Sequence, residues 1–488
     1  MKKEFNYKLV LRLQGSLLLV ESFFLLVAFV MSLFHREAEA VYFLIAMFAA
    51  LGLGISGVSI GKNAPLAIGK REGSVIVTST WILFSLVGML PFWLSGAIGS
   101  FTDAFFETMS GFTTTGASIV QDVEALSYGM LFWRSLTHWI GGLGIIVISM
   151  ALLPIFGFTS VQVYTAEVTG PNKEKLHPKL SGTAKRLFGI YVTFTVAEAV
   201  LLYFSGMSWF DAVCHAFSTV STGGFSTKNA NIGHWNSPSI EFIIIAFMIL
   251  SGINFGLYYF LFTRKIRKVF SNEEVRYYLL ILLAFTLVIA VTLIDFSNLT
   301  WDNVGTSFRN SLFTVSSLLS TTGFYSVNYS SWVPVTTILL LVLMLIGGSA
   351  GSTAGGIKII RLLLVFKYCY YEFKRMIHPN AVLPVRYNGQ IVREEIITRV
   401  LAYVLLYCIL AVIGSLVLTL SGLGFEEAVG SMISCLGDVG PGLGKLGPID
   451  TYSSIPAFSK WFLSFVMLIG RLDLFTALLI VTPAFWKK

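Results

Sequence analysis

Three hydroxyl side chains run into a glycine at Thr113-Thr114-Thr115-Gly116-Ala117-Ser118. Relatives of this stretch return at Ser221-Thr222-Gly223-Gly224, Thr321-Thr322-Gly323-Phe324 and Asp438-Val439-Gly440-Pro441. With Gly116, Gly223, Gly323 and Gly440 taken as the central glycines, the intervals are 107, 100 and 117 residues, the length of a large structural unit and not of a short solenoid repeat. The chemistry open to such a stretch belongs to its main chain. Glycine lets the backbone turn its carbonyl oxygens toward an axis at dihedral angles that other residues adopt only at a cost. Four such bends around one axis would form a ring of carbonyls able to replace the hydration shell of a cation. The candidate ion-binding residues are therefore Thr114, Thr115 and Gly116, Ser221, Thr222 and Gly223, Thr321, Thr322 and Gly323, and Asp438, Val439 and Gly440.

Two further places have the composition of a gate. Gly347-Gly348-Ser349-Ala350-Gly351-Ser352-Thr353-Ala354-Gly355-Gly356 has no large side chain and cannot hold a helix in the middle of an apolar span. The phosphate-cradling pattern GxxxxGK[ST] is not met, because Lys358 follows Ile357 and Ile359 stands where Ser or Thr is needed. The segment reads as a flexible loop beneath the carbonyl ring that obstructs the path, with Gly347, Gly348, Gly351, Ser352, Thr353, Gly355 and Gly356 as its working residues. A small-residue helix contact is the competing reading. Arg471 stands near the centre of the last apolar span, where an arginine costs about 2.5–3.5 kcal/mol by insertion scales. It reads either as a positive charge lining the path or as half of a structural ion pair with another repeat. Asp473, two residues on, would not face it on a helix. Glu21, His138, Glu198 and Asn254 also lie at membrane depth, and read as helix-to-helix hydrogen-bonding groups.

The elements that must position these residues follow from the flanking pattern. A run of about 10 or 11 residues precedes each bend, Asp103 to Thr113, Asp211 to Val220, Asn310 to Ser320 and Glu427 to Leu436, enough for a helix that crosses about half the hydrocarbon layer. Such half-helices would aim their C-terminal ends, each roughly half a negative charge, at the axis. Long apolar segments flank every run. The expected unit is outer helix, half-helix, bend, inner helix, with a second set of glycines in the inner helices: Gly141-Gly142-Leu143-Gly144, expected to break its helix, Gly252, Gly347 and Gly470. The expected divisions are an added helical hairpin in residues 1–73 and repeats at 74–183, 184–274, 275–395 and 396–488.

Composition agrees. Of the 488 residues 55% are hydrophobic and only 12% charged, against about a quarter charged in soluble domains, so the chain reads as an all-α polytopic membrane protein. The net charge of +8 is not a nucleic-acid footprint, because the basic residues fall in alternate loops and at both ends: Lys2 to Arg12, Lys62 to Arg71, Lys173 to Arg186, Arg264 to Arg276, Lys358 to Arg399 and Lys487-Lys488. By the positive-inside rule these are cytoplasmic, as are both termini. The opposite side carries Glu37, Glu39, Asp103, Glu107, Asp122, Glu124, Asp211, Asp302, Glu426 and Glu427, an acidic face that would concentrate cations at an entrance. Cys214, Cys369, Cys408 and Cys435 show no paired spacing, and no His/Asp/Glu cluster has the arrangement of an enzyme site, so neither a disulfide framework, a zinc site nor catalysis is expected.

Together, Thr113-Thr114-Thr115-Gly116-Ala117, Gly223-Gly224-Phe225-Ser226, Gly351-Ser352-Thr353, His378-Pro379-Asn380-Ala381-Val382, Gly440-Pro441-Gly442 and Gly470-Arg471-Leu472 resemble the Trk/Ktr/HKT superfamily of potassium transporters, and within it the bacterial TrkH/TrkG type. The resemblance spans nearly the whole chain. It implies four pseudo-symmetric membrane-pore-membrane units, potassium as the transported ion with no organic cofactor, a homodimer in the bacterial inner membrane, and a cytosolic ring of TrkA-like RCK nucleotide-binding subunits docked on the basic loops. Gly116 is similar to the potassium-selective form, since serine at that place goes with sodium transport in plant relatives. Two positions depart from the family: Asp473 stands where Glu is common, and Asp438 where an amide is common. A sodium- or proton-coupled, less selective symporter of monovalent cations is the alternative function.

Overall fold

The computed structural model describes residues 5–65, 69–151, 180–262, 264–295 and 300–486. The first half of the basic segment Lys173 to Arg186 and the terminal lysines lie outside these residues. Among the described residues, six helices are long and apolar enough to cross a membrane: Tyr7–Phe34, Ala40–Ile60, Arg71–Leu94, Lys185–Phe204, Glu273–Leu293 and Glu394–Leu420. The first two form the added hairpin, and the other four are the outer helices of four consecutive units. Gly54, Gly57 and Gly61 let the hairpin helices touch backbone to backbone, since a methyl group on Gly57 would fall 2.7 Å from the Leu11 carbonyl oxygen. The hairpin covers the first unit. The Arg71–Leu94 window is 61% buried, whereas the outer helices of units two to four are 28–39% buried and keep wide apolar faces for lipid.

Inside this ring stand four half-helices: Phe101–Phe112, Trp209–Val220, Trp301–Leu319 and Phe425–Gly437. Each carries acid in its first turn, Asp103, Asp211, Asp302 and Glu426 with Glu427, where carboxylates favour the positive end of the helix dipole. Ser208 and Thr300 add side-chain caps to the second and third. The third half-helix is 19 residues long and starts at Trp301, well before the expected Asn310. Its outer turns pack against the outer helix Glu273–Leu293, and the Ser311 hydroxyl donates to the Thr286 carbonyl at 2.7 Å.

The inner helices differ. Those of units two to four are broken: Pro238–Ser251 then Phe255–Phe262, Pro334–Ile346 then Ile359–Ile377, and Ala457–Arg471 then Leu474–Val481. The first, Tyr128–Ala151, runs unbroken through Gly141-Gly142-Leu143-Gly144, contrary to the expected break. These glycines serve close approach: side chains on Gly141 and Gly142 would strike the Phe112 carbonyl and Ser221, the ends of half-helices one and two. A two-residue hairpin, Arg386–Tyr387 with Gln390–Ile391, is the one sheet among the described residues.

Candidate ion pathway

Within two residues of its end each half-helix is followed by a residue with positive φ, where the bend begins. Thr114, Thr222, Thr321 and Asp438 have φ of 55°, 58°, 57° and 53°. Two residues further on, Gly116, Gly224, Gly323 and Gly440 have φ of 82°, 82°, 75° and 106°, a region open to glycine and strained for other residues. Between them, the N–H groups of Thr115, Gly223, Thr322 and Val439 donate to the carbonyls of Ser110, Ser218, Ser317 and Ser434 at 2.7–2.9 Å. This four-fold register moves the second bend by one residue. Gly224, and not Gly223, is the equivalent of Gly116, so the intervals become 108, 99 and 117 residues, and Ser221 is the last turn of its half-helix. A serine stands six residues before the glycine in all four copies, a regularity in the sequence that fixes the register.

The four bends close into one circuit. A methyl group on Gly116 would strike the carbonyl of Gly223; on Gly224, that of Thr322; on Gly323, that of Val439; on Gly440, it would fall 2.6 Å from that of Thr115. Each unit is pressed on the next and the fourth returns to the first. The bend residues from Thr113 to Thr115, Ser221 to Gly224, Thr321 to Gly323 and Asp438 to Gly440 are buried. Two hydroxyl pairs brace the circuit from behind, Thr113 Oγ1 with Thr115 Oγ1 at 2.8 Å and Ser320 Oγ with Thr322 Oγ1 at 2.7 Å. The Thr115 hydroxyl also donates to Asp438 Oδ1 at 3.0 Å, tying unit one to unit four.

On one flank, Glu107 and Arg134 clamp the loops of units one and two. The Arg134 Nε donates to Glu107 Oε1 at 2.6 Å, its NH1 to the Ser226 carbonyl at 3.0 Å, and its NH2 to Ser118 Oγ at 2.9 Å; Glu107 Oε2 accepts from the Ile119 N–H at 2.7 Å. Glu107 is thus buried within the fold and does not belong to an acidic entrance face. Asp103 is likewise engaged, by the Lys460 ammonium at 2.7 Å. Sequence patterning missed the Arg134–Glu107 clamp, whose partners are 27 residues apart on different helices.

On the other flank lies the glycine-rich segment. Gly347, Gly351, Gly356 and Lys358 have φ of 70°, 78°, 75° and 80°, so the inner helix of unit three cannot continue through them. The loop touches units two, three and four. The Ser349 N–H donates to the Gly252 carbonyl at 2.9 Å, and the Thr353 hydroxyl reaches the carbonyls of Val220 and Ser251 at 3.1 and 3.3 Å. The Gly355 N–H donates to Thr321 Oγ1 at 2.7 Å, while a methyl on Gly355 would strike the Gly437 carbonyl and lie 3.0 Å from Asp438 Cβ. Arg471 NH1 donates to the Thr353 carbonyl at 2.8 Å and NH2 to the Gly141 carbonyl at 3.3 Å. Ser352, Thr353, Ala354, Gly355 and Gly356 are buried directly behind the bends.

Arg471 makes no bond to Asp473. Asp473 instead accepts from Arg361 NH2 at 2.9 Å, across the broken helices of units three and four, and the guanidinium of Arg361 lies 3.8 Å over the Tyr403 ring. Asn254 caps its own half-helix through the Gly256 N–H at 2.8 Å and packs on Gly351, in place of a helix-to-helix bond. His138 sits 3.3 Å from Ser218 Oγ on a different helix, as its reading required. Glu21 does not follow that reading: both of its carboxyl oxygens are buried with no hydrogen-bond partner among the described residues. Glu198 lies against Thr219 of the second half-helix, but both of its carboxyl oxygens also lack a hydrogen-bond partner among the described residues.

An all-helical membrane-spanning fold with four half-helices whose C-terminal bends close on one another defines an ion-transport protein of the pore-loop class. The family profile TrkH, described as a cation transport protein, matches residues 43–488. The Trk system potassium uptake protein TrkH of Salmonella typhimurium is 36% identical over 99% of this chain and 100% of its own length, and the protein of that name in Escherichia coli K12 is 36% identical with the same coverage. The Trk system potassium uptake protein TrkG of Escherichia coli K12 is 34% identical over 99% of both chains. The crystal structure of the potassium transporter TrkH from Vibrio parahaemolyticus superposes with a TM-score of 0.90 at 32% identity, covering 99% of this chain and all of that one. The chain belongs to the TrkH family of cation transport proteins.

Proposed function

We propose that this chain takes up potassium across the bacterial inner membrane through a ring of main-chain carbonyls at the four bends. The observation that carries the reading is the closed circuit in which Gly116, Gly224, Gly323 and Gly440 each abut the bend of the next unit. The relatives' shared name, Trk system potassium uptake protein, supports potassium as the ion. The half-helices add the negative ends of their dipoles to the ring, which favours a cation over an anion.

Gating falls to Gly347 to Gly356 together with Arg471. The loop lies behind the bends, and a guanidinium beside the path repels a cation until the two move apart. The membrane potential alone is a sufficient drive, since about 2.3 kcal/mol per charge per 100 mV sustains roughly fifty-fold accumulation of a monovalent ion. Basic cytoplasmic loops, with Lys358 to Arg399 the largest, form the docking face for TrkA-like RCK subunits, and the working unit is a homodimer with both termini cytoplasmic. The test is rubidium uptake into vesicles reconstituted with the purified chain, with and without an RCK subunit. Uptake suppressed by external potassium and indifferent to sodium is the expected result. Uptake that requires sodium or a proton gradient favours the coupled symporter instead.

A further inference from the structure

The second bend differs from the other three in lacking a side chain at its middle residue. Thr115, Thr322 and Val439 fill the space behind their loops from within the loop, and in units one and three the threonine hydroxyl pairs with the hydroxyl two residues earlier, Thr113 or Ser320. Gly223 has nothing to offer there. A methyl group built on it would land inside the imidazole of His138, 2.6 Å from Cε1 and nearer still to Nδ1 and Cγ.

His138 comes from the inner helix of unit one, Tyr128–Ala151, and is fully buried. Its ring stacks on Phe225 with centroids 4.0 Å apart and an interplanar angle of 18°, and Nδ1 lies 3.3 Å from Ser218 Oγ. Ser218 is the residue whose carbonyl receives the Gly223 N–H at 2.7 Å, so the imidazole touches the serine that sets the bend and the residue beyond it at once. The Arg134 guanidinium also lies over the Phe225 ring, 3.7 Å from its centroid, and Arg134 is held by Glu107. The inner helix of unit one therefore presents both an imidazole and a guanidinium to Phe225 of the second loop.

We infer that His138 is the positioning residue of the second bend, supplying from a neighbouring unit the side chain that Gly223 lacks and so fixing the carbonyl spacing on which ion discrimination depends. This inference rests on the carbonyl-ring reading above. It assigns unit two's part of the selectivity to a residue outside the four loops. It also makes a reciprocal demand. A threonine at 223 has no room while His138 is present, but once the ring is gone its hydroxyl meets Ser221 Oγ, as Thr115 meets Thr113 and Thr322 meets Ser320. Ser221 is ready for that pairing, since its hydroxyl already donates to the Phe217 carbonyl at 2.6 Å, just as Thr113 donates to Met109 at 2.7 Å.

The test compares His138→Ala, Gly223→Thr, the double variant and Gly116→Ser, each as full-length protein in vesicles. Folded fraction is followed by size exclusion, and the ratio of rubidium to sodium uptake by tracer flux. Expected is a fall of about tenfold in that ratio for His138→Ala, a loss of uptake or of folded protein for Gly223→Thr, and recovery toward the parent ratio in the double variant. If His138→Ala is not recovered folded, the double variant against Gly223→Thr decides, since a folded, selective double variant supports the inference and one no better than Gly223→Thr overturns it. A His138→Ala protein with the parent ratio, in the presence of a sodium-leaking Gly116→Ser, overturns the inference and leaves the ring reading standing. A ratio unmoved in every variant, Gly116→Ser included, removes both.

Discussion

Arg471 is bound not to another side chain but to two main-chain carbonyls, Thr353 O in the gate loop and Gly141 O in the first inner helix. On the gating proposed above it would act in two ways, by its charge and by fastening the loop. Hydrogen bonds from charged donors contribute about 1.5–3 kcal/mol each, so Arg471→Gln is expected to raise basal rubidium flux by roughly tenfold or more; an unchanged or lower flux in folded protein contradicts the role. Asp438 has the opposite character. Its Oδ1 is taken by Thr115, its Oδ2 is buried with no hydrogen-bond partner among the described residues, and Arg471 is near enough to attract it. Asp438→Asn keeps the Thr115 contact and replaces the acid beside the ring with an amide that cannot ionise, so the rubidium concentration for half-maximal uptake should rise severalfold. Gly323→Ala is expected to lower the ratio of rubidium to sodium uptake, as Gly116→Ser does, because its methyl group would displace the Val439 carbonyl at a φ of 75° that costs an L-residue about 1–2 kcal/mol before any clash.

At the scale of elements, the gate loop is held by few, identifiable bonds. The Thr353 hydroxyl joins it to the Val220 and Ser251 carbonyls of unit two. Thr353→Val removes that link without changing volume much, and one neutral hydrogen bond of about 1 kcal/mol shifts the balance toward the open loop about fivefold. Single-channel open fraction, or basal flux at fixed protein, measures it. The same elements mark where sequence was sufficient and where it was not. The bends, the gate loop and Arg471 stood out because glycines and a charge inside apolar spans are costly unless used. Glycine alone, however, does not say what it is for. At Gly141 and Gly142 it admits the ends of two half-helices to an unbroken helix, whereas at Gly347 and Gly356 it breaks one, and only the neighbours in the fold distinguish the two. The paired Gly223-Gly224 offered two registers, and the serine six residues earlier chose between them. Pairs such as Arg361 with Asp473, 112 residues apart, have no local trace at all.

At the scale of the molecule, the four units are alike in plan and unlike in detail. The first inner helix is continuous and braces its neighbours, the third carries the glycine-rich loop, and the fourth supplies Arg471. The breaks are confined to the inner helices of units two to four, which are joined by the loop's bonds to Gly252, Thr321 and Arg471. Docked RCK subunits would act on this arrangement through Ile359–Ile377, the helix that continues directly from the gate loop. The central claim is that the four bends together bind the ion. Anomalous diffraction from crystals grown in rubidium tests it most directly: the account predicts density on the common axis, enclosed by the bends at Gly116, Gly224, Gly323 and Gly440, and density elsewhere in the protein with none on that axis would contradict it.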